Sequence, residues 1–183
     1  MKFPIFSHLK RDSKKSGFTL IEIMVAISVM TVGILGIYAL VPHVVSLSGV
    51  NLDRFRAVQL AREGIEIIRN IRDTNWLEQR SNPLNSWKEG LTNCSLGCEA
   101  DYTTPTVEDP TLPSYNEGRF LYIEGNTGFY KYIDSPSEDD IKTKFKRKII
   151  ITPNPNVLNV KVQIIWPGKD SPFEVEENLY NWR

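Results

Sequence analysis

The sequence predicts an α+β fold in which a long N-terminal helix packs by its second half on a C-terminal antiparallel sheet of four or five strands. Three observations lead to this class. An apolar run begins at Phe18, a segment with a helical repeat follows it, and the apolar period changes to two residues after Arg119. An antiparallel sheet with one apolar face needs a cover, and the amphipathic segment supplies one.

Charged side chains are sorted along the chain. The 183 residues carry 22 basic and 22 acidic side chains, with two His and two Cys, an ordinary composition for a folded protein. Residues 1–17 carry five basic groups and one acidic group, so their formal charge is +4 and that of the remainder is −4. Because basic residues before an apolar helix stay in the cytoplasm, this sorting predicts an exported C-terminal part.

Residues 18–41 form an apolar run of 24 residues with a single charge, Glu22. A helix of that length spans about 36 Å, enough to cross a hydrocarbon layer of roughly 30 Å. The run is longer than the apolar part of a secretory signal, and no clear small-residue cleavage site follows it. Hydropathy alone therefore predicts an uncleaved single-pass anchor.

Glu22 is a costly residue for such a run. A carboxylate costs roughly 2.5–3.5 kcal/mol at mid-membrane and less near the boundary, and no neighbour in the sequence is basic. In one interpretation the chain is cut after Gly17, and the new α-amino group of Phe18 pairs with Glu22 of the same or a neighbouring chain. In the other, Glu22 is hydrated at the membrane interface. The residues alone leave both interpretations open.

A short motif surrounds this junction, and its sequence resembles a known processing signal. Its residues are Lys14, Lys15, Ser16, Gly17, Phe18, Thr19, Leu20, Ile21 and Glu22, followed by the apolar run. The motif resembles the N-terminal cleavage and methylation motif of type IV prepilins and type II secretion pseudopilins. The resemblance implies that a prepilin peptidase cuts between Gly17 and Phe18 on the cytoplasmic face and then N-methylates Phe18. It also implies a role for Glu22 in recruitment and subunit alignment.

The resemblance further implies a pilin-like fold, partners and a location. The chain would first be a single-pass protein of the lipid bilayer, with a cytoplasmic leader and an extracytoplasmic head. An inner-membrane assembly platform would then pack it with other pilin or pseudopilin subunits into a filament at the cell surface or in the periplasm. Trp166 and residues 179–183 are similar to minor pilins related to the type II secretion pseudopilins, which favours a minor subunit.

The predicted helix continues beyond Pro42, which removes one backbone donor at about the membrane exit. Residues 42–76 have an amphipathic repeat, and if the two halves join, the helix covers residues 18–75. The apolar positions recur at three- and four-residue spacings, at Leu60, Ala61, Gly64, Ile65, Ile67, Ile68 and Ile71. We expect this stripe to pack against the sheet.

Residues 77–118 have no sustained period and contain four Pro and three Gly, which predicts an irregular region. Cys94 and Cys98 lie in it. Two thiols with no His nearby in sequence give poor support to a zinc site, and we expect no metal or cofactor. Export makes a structural disulfide between the two plausible, while a redox role is the weaker interpretation because the spacing is not C-x-x-C.

Residues 119–183 carry the strand signals. The alternation predicts strands over residues 119–124, 128–133, 144–152, 157–166 and 173–180. Gly125, Asn126 and Thr127 form the turn of a hairpin between the first two. Together these strands would make up the sheet of the globular head.

The sequence lacks a Gly-rich phosphate loop, a G-x-S-x-G elbow and an H-E-x-x-H motif, and we expect no enzymatic activity. The acidic run at residues 138–140 has no EF-hand spacing and indicates a solvated loop. A basic stretch could contact DNA or another anionic surface, but an exposed strand face is the favoured interpretation. Its residues are Lys142, Lys144, Lys146, Arg147 and Lys148.

Two functions remain compatible with the sequence. The favoured one is a structural subunit, cleaved after Gly17 and packed into a filament by its N-terminal helix. The alternative is a single-pass membrane-anchored extracytoplasmic binding or adhesion protein whose helix does not polymerise. Cleavage at Gly17 distinguishes the two.

Overall fold

The computed structural model describes residues 17–104, 111–168 and 172–182. The chain divides into two units, residues 1–49 and residues 50–183. The elements in order are helix α1 (Leu20–Ser81) and strands β1 (Tyr122–Ile123), β2 (Tyr130–Lys131), β3 (Ile141–Lys142), β4 (Lys146–Pro153), β5 (Val157–Ile165) and β6 (Phe173–Tyr180). One long N-terminal helix followed by antiparallel sheets confirms the predicted α+β class.

Helix α1 continues through Pro42 and ends at Ser81, six residues beyond the predicted end. The last turns are held by contacts with residues distant in sequence. Asn75 Nδ2 donates to the carbonyl of Glu89 at 2.8 Å, and Trp76 Nε1 donates to Asn181 Oδ1 at 3.2 Å. Because these partners lie outside the helix, its own periodicity does not reveal where it ends.

The strands form two three-stranded antiparallel sheets, where the alternation predicts one sheet of four or five strands. The order is β4-β5-β6 in the larger sheet and β2-β1-β3 in the smaller. Strand β3 has no counterpart among the predicted strands, and β1 and β2 are two residues long instead of six. Strand β1 pairs with both β2 and β3, so these short segments complete a separate sheet.

The core of residues 50–183 is built from the predicted stripe of α1 and the inner face of the larger sheet. In the register of that sheet Ile149 lies opposite Val162, and Ile151 lies opposite Val160, and all four side chains are buried. At Gly64 the helix lies close against the sheet, since a Cβ there would lie 3.0 Å from Arg147 Cδ and 3.1 Å from Val162 Cγ1. The buried residues of the stripe are Leu60, Ala61, Gly64, Ile65, Ile68 and Ile71.

Arg147 departs from the predicted exposed basic face of β4. It falls in the inward-facing alternation of that strand and is fully buried. Its Nη1 donates to the carbonyl of Leu60 at 3.1 Å and lies 3.5 Å from Glu63 Oε1. Its Nη2 donates to the carbonyl of Ala100. Arg147 therefore joins strand, helix and loop, and is not available to an anionic surface.

Cys94 and Cys98 form a disulfide, and both residues are buried. The loop that they close lies along the outer edge of β4. The Cys98 N–H donates to Ile149 O at 2.7 Å, and the N–H groups of Ile149 and Ile151 donate to Cys98 O and Cys94 O at 2.9 and 3.1 Å. Gly97 has a φ of +115°, a backbone conformation that favours glycine, and the side chain of Lys148 lies against it.

Candidate processing and assembly site

The predicted cleavage junction lies immediately before helix α1. Gly17, Phe18 and Thr19 are outside the helix, which begins at Leu20. Thr19 caps it: its Oγ1 accepts from the N–H of Glu22 at 3.4 Å, and its carbonyl accepts from the N–H groups of Glu22 and Ile23 at 3.1 and 3.3 Å. A Thr three residues before a Glu is the sequence of a capping box, which favours a helix start at this point.

The junction is open in the described structure. Gly17 is exposed, and Phe18 retains 79% of its accessible surface. A Cβ added at Gly17 would meet no described atom within 4 Å. The fold of the described residues therefore gives no steric reason for glycine at this position, so a requirement for it would arise in a complex with another protein.

Glu22 lies in the first turn of α1 and is exposed. The partial positive charge of a helix N-terminus favours a carboxylate there. Within the described ranges, no Lys or Arg nitrogen lies within 4.0 Å of this carboxylate. The described residues therefore provide no cationic partner for Glu22.

The first half of α1 exposes its apolar side chains between Leu20 and Val45. Ile23, Ile27 and Ile34 each retain at least half of their accessible surface. The hydroxyl groups of Ser28 and Thr31 donate to the carbonyls three and four residues earlier, at 2.8 and 2.7 Å, so they need no water. By length and composition, α1 is the one helix in the described part of the chain that could cross a membrane.

Thr19 has a local role that the sequence interpretation missed. Thr19 belongs to the processing motif, but the motif assigns no function to it. Its position directly before Leu20 and three residues before Glu22 is nevertheless a capping-box signal. Lys14 and Lys15 of the motif lie outside the described residues. Cys94 and Cys98 belong to the unit formed by residues 50–183, where they form a disulfide.

Comparison with known families identifies the same segment. A family model described as the prokaryotic N-terminal methylation motif matches residues 12–38. The match covers the Gly17–Phe18 junction, Glu22 and most of the apolar run. Searches of curated proteins and of solved structures return no match.

Proposed function

Because this match supports the assignment of the chain to the type IV prepilin and pseudopilin family, we propose that it is a structural subunit of a type IV pilus or a type II secretion pseudopilus. The family is structural and not catalytic. A prepilin peptidase removes residues 1–17 and N-methylates Phe18. The mature subunit then enters a filament through its N-terminal helix, and the similarity of its tail to minor pilins favours a minor subunit.

The observation that carries this proposal is the motif match at a junction that is sterically open. A peptidase must reach the backbone between Gly17 and Phe18, and the described atoms leave that backbone exposed. The helix begins two residues after Phe18, capped by Thr19. Residues 17–19, which precede the capped helix and are not helical, give the enzyme a short accessible substrate and leave the apolar helix intact.

The apolar run has a role at both proposed stages, first in the membrane and then in the filament. In the bilayer its exposed side chains contact lipid, and the basic leader holds the N-terminus in the cytoplasm. The assembly platform then transfers the subunit from lipid into a filament, where the same side chains pack on neighbouring helices. Glu22 meets the methylated ammonium of Phe18 on a neighbouring subunit, which fixes the axial offset between the two helices.

Intact-mass measurement and N-terminal sequencing of membrane-extracted protein test the proposal. In cells with a prepilin peptidase, we expect a chain that begins at Phe18 and carries the mass of one additional methyl group. Gly17→Leu should leave the full-length protein in the membrane, because the side chain obstructs the peptidase. Gly36→Leu is the matched control, since it adds the same side chain to the apolar helix away from the junction. Wild-type protein that begins at Met1 would contradict the proposal.

A groove in the head supports the alternative function. It has a volume of about 750 Å³ and lies between α1 and residues 85–104. Its lining includes Glu63, Glu66, Glu78, Glu89 and Asp101. Such a groove suits a membrane-anchored binding protein that does not polymerise. Full-length, unprocessed protein that never appears in sheared filaments would favour that function.

A further inference from the structure

The solvent face of the larger sheet carries opposite charges at its two sides. Strand β4 presents Lys146 and Lys148, and strand β6 presents the exposed Glu174 and Glu176. The register aligns Lys148, Gln163 and Glu174 in one row across the three strands. Adjacent strands are about 4.8 Å apart, so the charges at the ends of a row lie roughly 10 Å apart, too far to pair.

The basic side and a neighbouring lysine of the smaller sheet form a lysine patch, defined by Lys146 and Lys148 of β4 and Lys142 of β3. In the described ranges, none of their ammonium groups has a carboxylate oxygen within 4.0 Å. Lys142 and Lys146 instead lie 4.6 and 4.7 Å from the ring centroid of Phe120, and Lys148 lies 5.3 Å from that of Tyr115. The rings hold the ammonium groups in place and leave their N–H donors free for an anionic partner.

The acidic side, Glu174 and Glu176, lies on the last strand of the sheet. Among the described strands, β6 pairs only with β5, so it is an edge strand of the larger sheet. Gln163 donates to Glu174 at 2.5 Å, and Asn159 donates to Glu176 at 2.6 Å. Lys161 Nζ also lies 3.7 Å from Glu176 Oε2, an ion pair within the sheet, and each carboxylate keeps further acceptor sites. We call this pair the acidic edge.

We propose that the acidic edge of one copy of this chain docks on the lysine patch of a second copy. This proposal rests on the proposed filament function, and it specifies one contact between the heads of two subunits. The local charges favour a second copy as the partner. Glu174 and Glu176 lie two residues apart on one face of β6, as Lys146 and Lys148 do on β4, so the same spacing allows two pairs of opposite charge to form at once.

The geometry of the contact has a consequence for the assembly. Two different surfaces meet, so each copy that uses its acidic edge still offers a free lysine patch. Such a heterologous contact repeats along an open fibre unless its rotation closes a ring. We therefore expect copies of a minor subunit that makes this contact to be neighbours of one another in the filament, in short consecutive groups.

Charge reversal in the full-length chain, expressed with its assembly machinery, tests the contact. The lysine-patch variant is Lys146→Glu with Lys148→Glu, and the acidic-edge variant is Glu174→Lys with Glu176→Lys. Each should lower the amount of this chain in sheared filaments by about tenfold or more, because like charges then face each other. The combined variant should return to within about twofold of wild type, since the pairing is restored with its signs exchanged.

Arg62→Glu with Arg80→Glu is the matched control for the lysine-patch variant, with the same change of formal charge on exposed positions of α1. It should leave filament incorporation unchanged. Each variant is also assayed for a mature N-terminus at Phe18, so that loss of processing, which would contradict the proposed function, is distinguished from loss of the contact alone.

Three outcomes would overturn the contact. Undiminished incorporation of both single-side variants would leave the acidic edge as protection of β6 against strand pairing. Failure of the combined variant to recover, with processing intact, would mean that the two surfaces do not meet. Loss of DNA retention by cells with the lysine-patch variant, at normal filament yield, would assign the patch to a polyanion.

Discussion

Glu22 has one environment in the isolated helix and would have another in the proposed filament. In the described structure it lies in the first turn of α1, where the cap at Thr19 and the helix dipole favour it. In lipid the same carboxylate is costly. An ion pair with the Phe18 ammonium of a neighbour also loses hydration, so we expect its main effect on register and less on net stability.

Replacement of Glu22 by Ala should separate insertion from assembly. Insertion should persist, because a polar group is removed from an apolar helix. The amount of the chain in sheared filaments should fall by about tenfold or more relative to the membrane fraction, measured by immunoblot of matched cells. Thr31→Ala is the control, because its hydroxyl contacts only its own helix in the described structure and should be dispensable. Equal incorporation of Glu22→Ala and wild type would leave Glu22 as a hydrated boundary residue.

At the scale of elements, the Cys94–Cys98 loop acts as a cover for one edge of the larger sheet. Three backbone hydrogen bonds join it to Ile149 and Ile151 of β4. The ring is short, so its closure contributes only about 2 kcal/mol in the chain-entropy description. Its contribution is therefore local, to the edge of β4 that would otherwise be unpaired.

Cys94→Ser should loosen this edge and leave the centre of the sheet intact. Amide hydrogen exchange at Ile149 and Ile151 should rise by about tenfold or more, while exchange at Val160 in the central strand changes much less. In wild-type protein recovered from the cell exterior, non-reducing peptide mapping should show the two cysteines linked. Two alkylatable thiols in that material, or equal acceleration at Val160, would contradict the local role.

The small sheet shows why short strands escape prediction. Glu124, at the end of β1, accepts hydrogen bonds from Tyr102, Thr127 and Lys131, which lower its pKa to about 2. Side-chain hydrogen bonds therefore hold this hairpin in place, and the alternation of residues along the strands does not reveal them.

The depressed pKa of Glu124 makes the stability of the fold depend on pH. The ionised carboxylate stabilises the fold above its ordinary pKa of 4.5, and this stabilisation is lost as pH falls toward 2.

At the scale of the head, Arg147 connects three parts of the fold. Its guanidinium bonds to the carbonyls of Leu60 in α1 and Ala100 in the loop, from a buried position on β4. Its Nε has no hydrogen-bond partner in the described part of the chain. Burial of a charge is costly, so these bonds fix the mutual arrangement of the three parts more than they add to stability.

Arg147→Ala should destabilise the head by about 3 kcal/mol, because it leaves a cavity and two carbonyls that lose a donor. Arg147→Met should cost less, about 1 to 2 kcal/mol, since it fills most of the space and removes the buried charge, although the same two carbonyls lose their donor. Denaturant unfolding of the detergent-solubilised full chain, followed by tryptophan fluorescence, measures both. Lys146→Ala is the control for the same strand, expected within about 0.5 kcal/mol of wild type. Equal losses for Arg147→Ala and Lys146→Ala would contradict the bridging role.

The sequence by itself determined the features that depend on near neighbours. Residues 14–22 carry the processing motif in a fixed spacing, and residues 18–41 carry the length and apolarity of a membrane helix. The stripe from Leu60 to Ile71 and the alternation of β5 indicated which faces are buried, because each face repeats with the period of its own element. The α+β class follows from these periods.

Only the tertiary structure decided the features that depend on distant partners. The division into two sheets follows from β3 pairing with β1, and the last turns of α1 are held by Asn181 and the loop after the helix. Arg147 is inside because its donors meet the carbonyls of Leu60 and Ala100. Backbone pairing between strands and the compensation of a buried charge depend on contacts between groups that are far apart in sequence. The periodicity of a single segment does not predict such contacts.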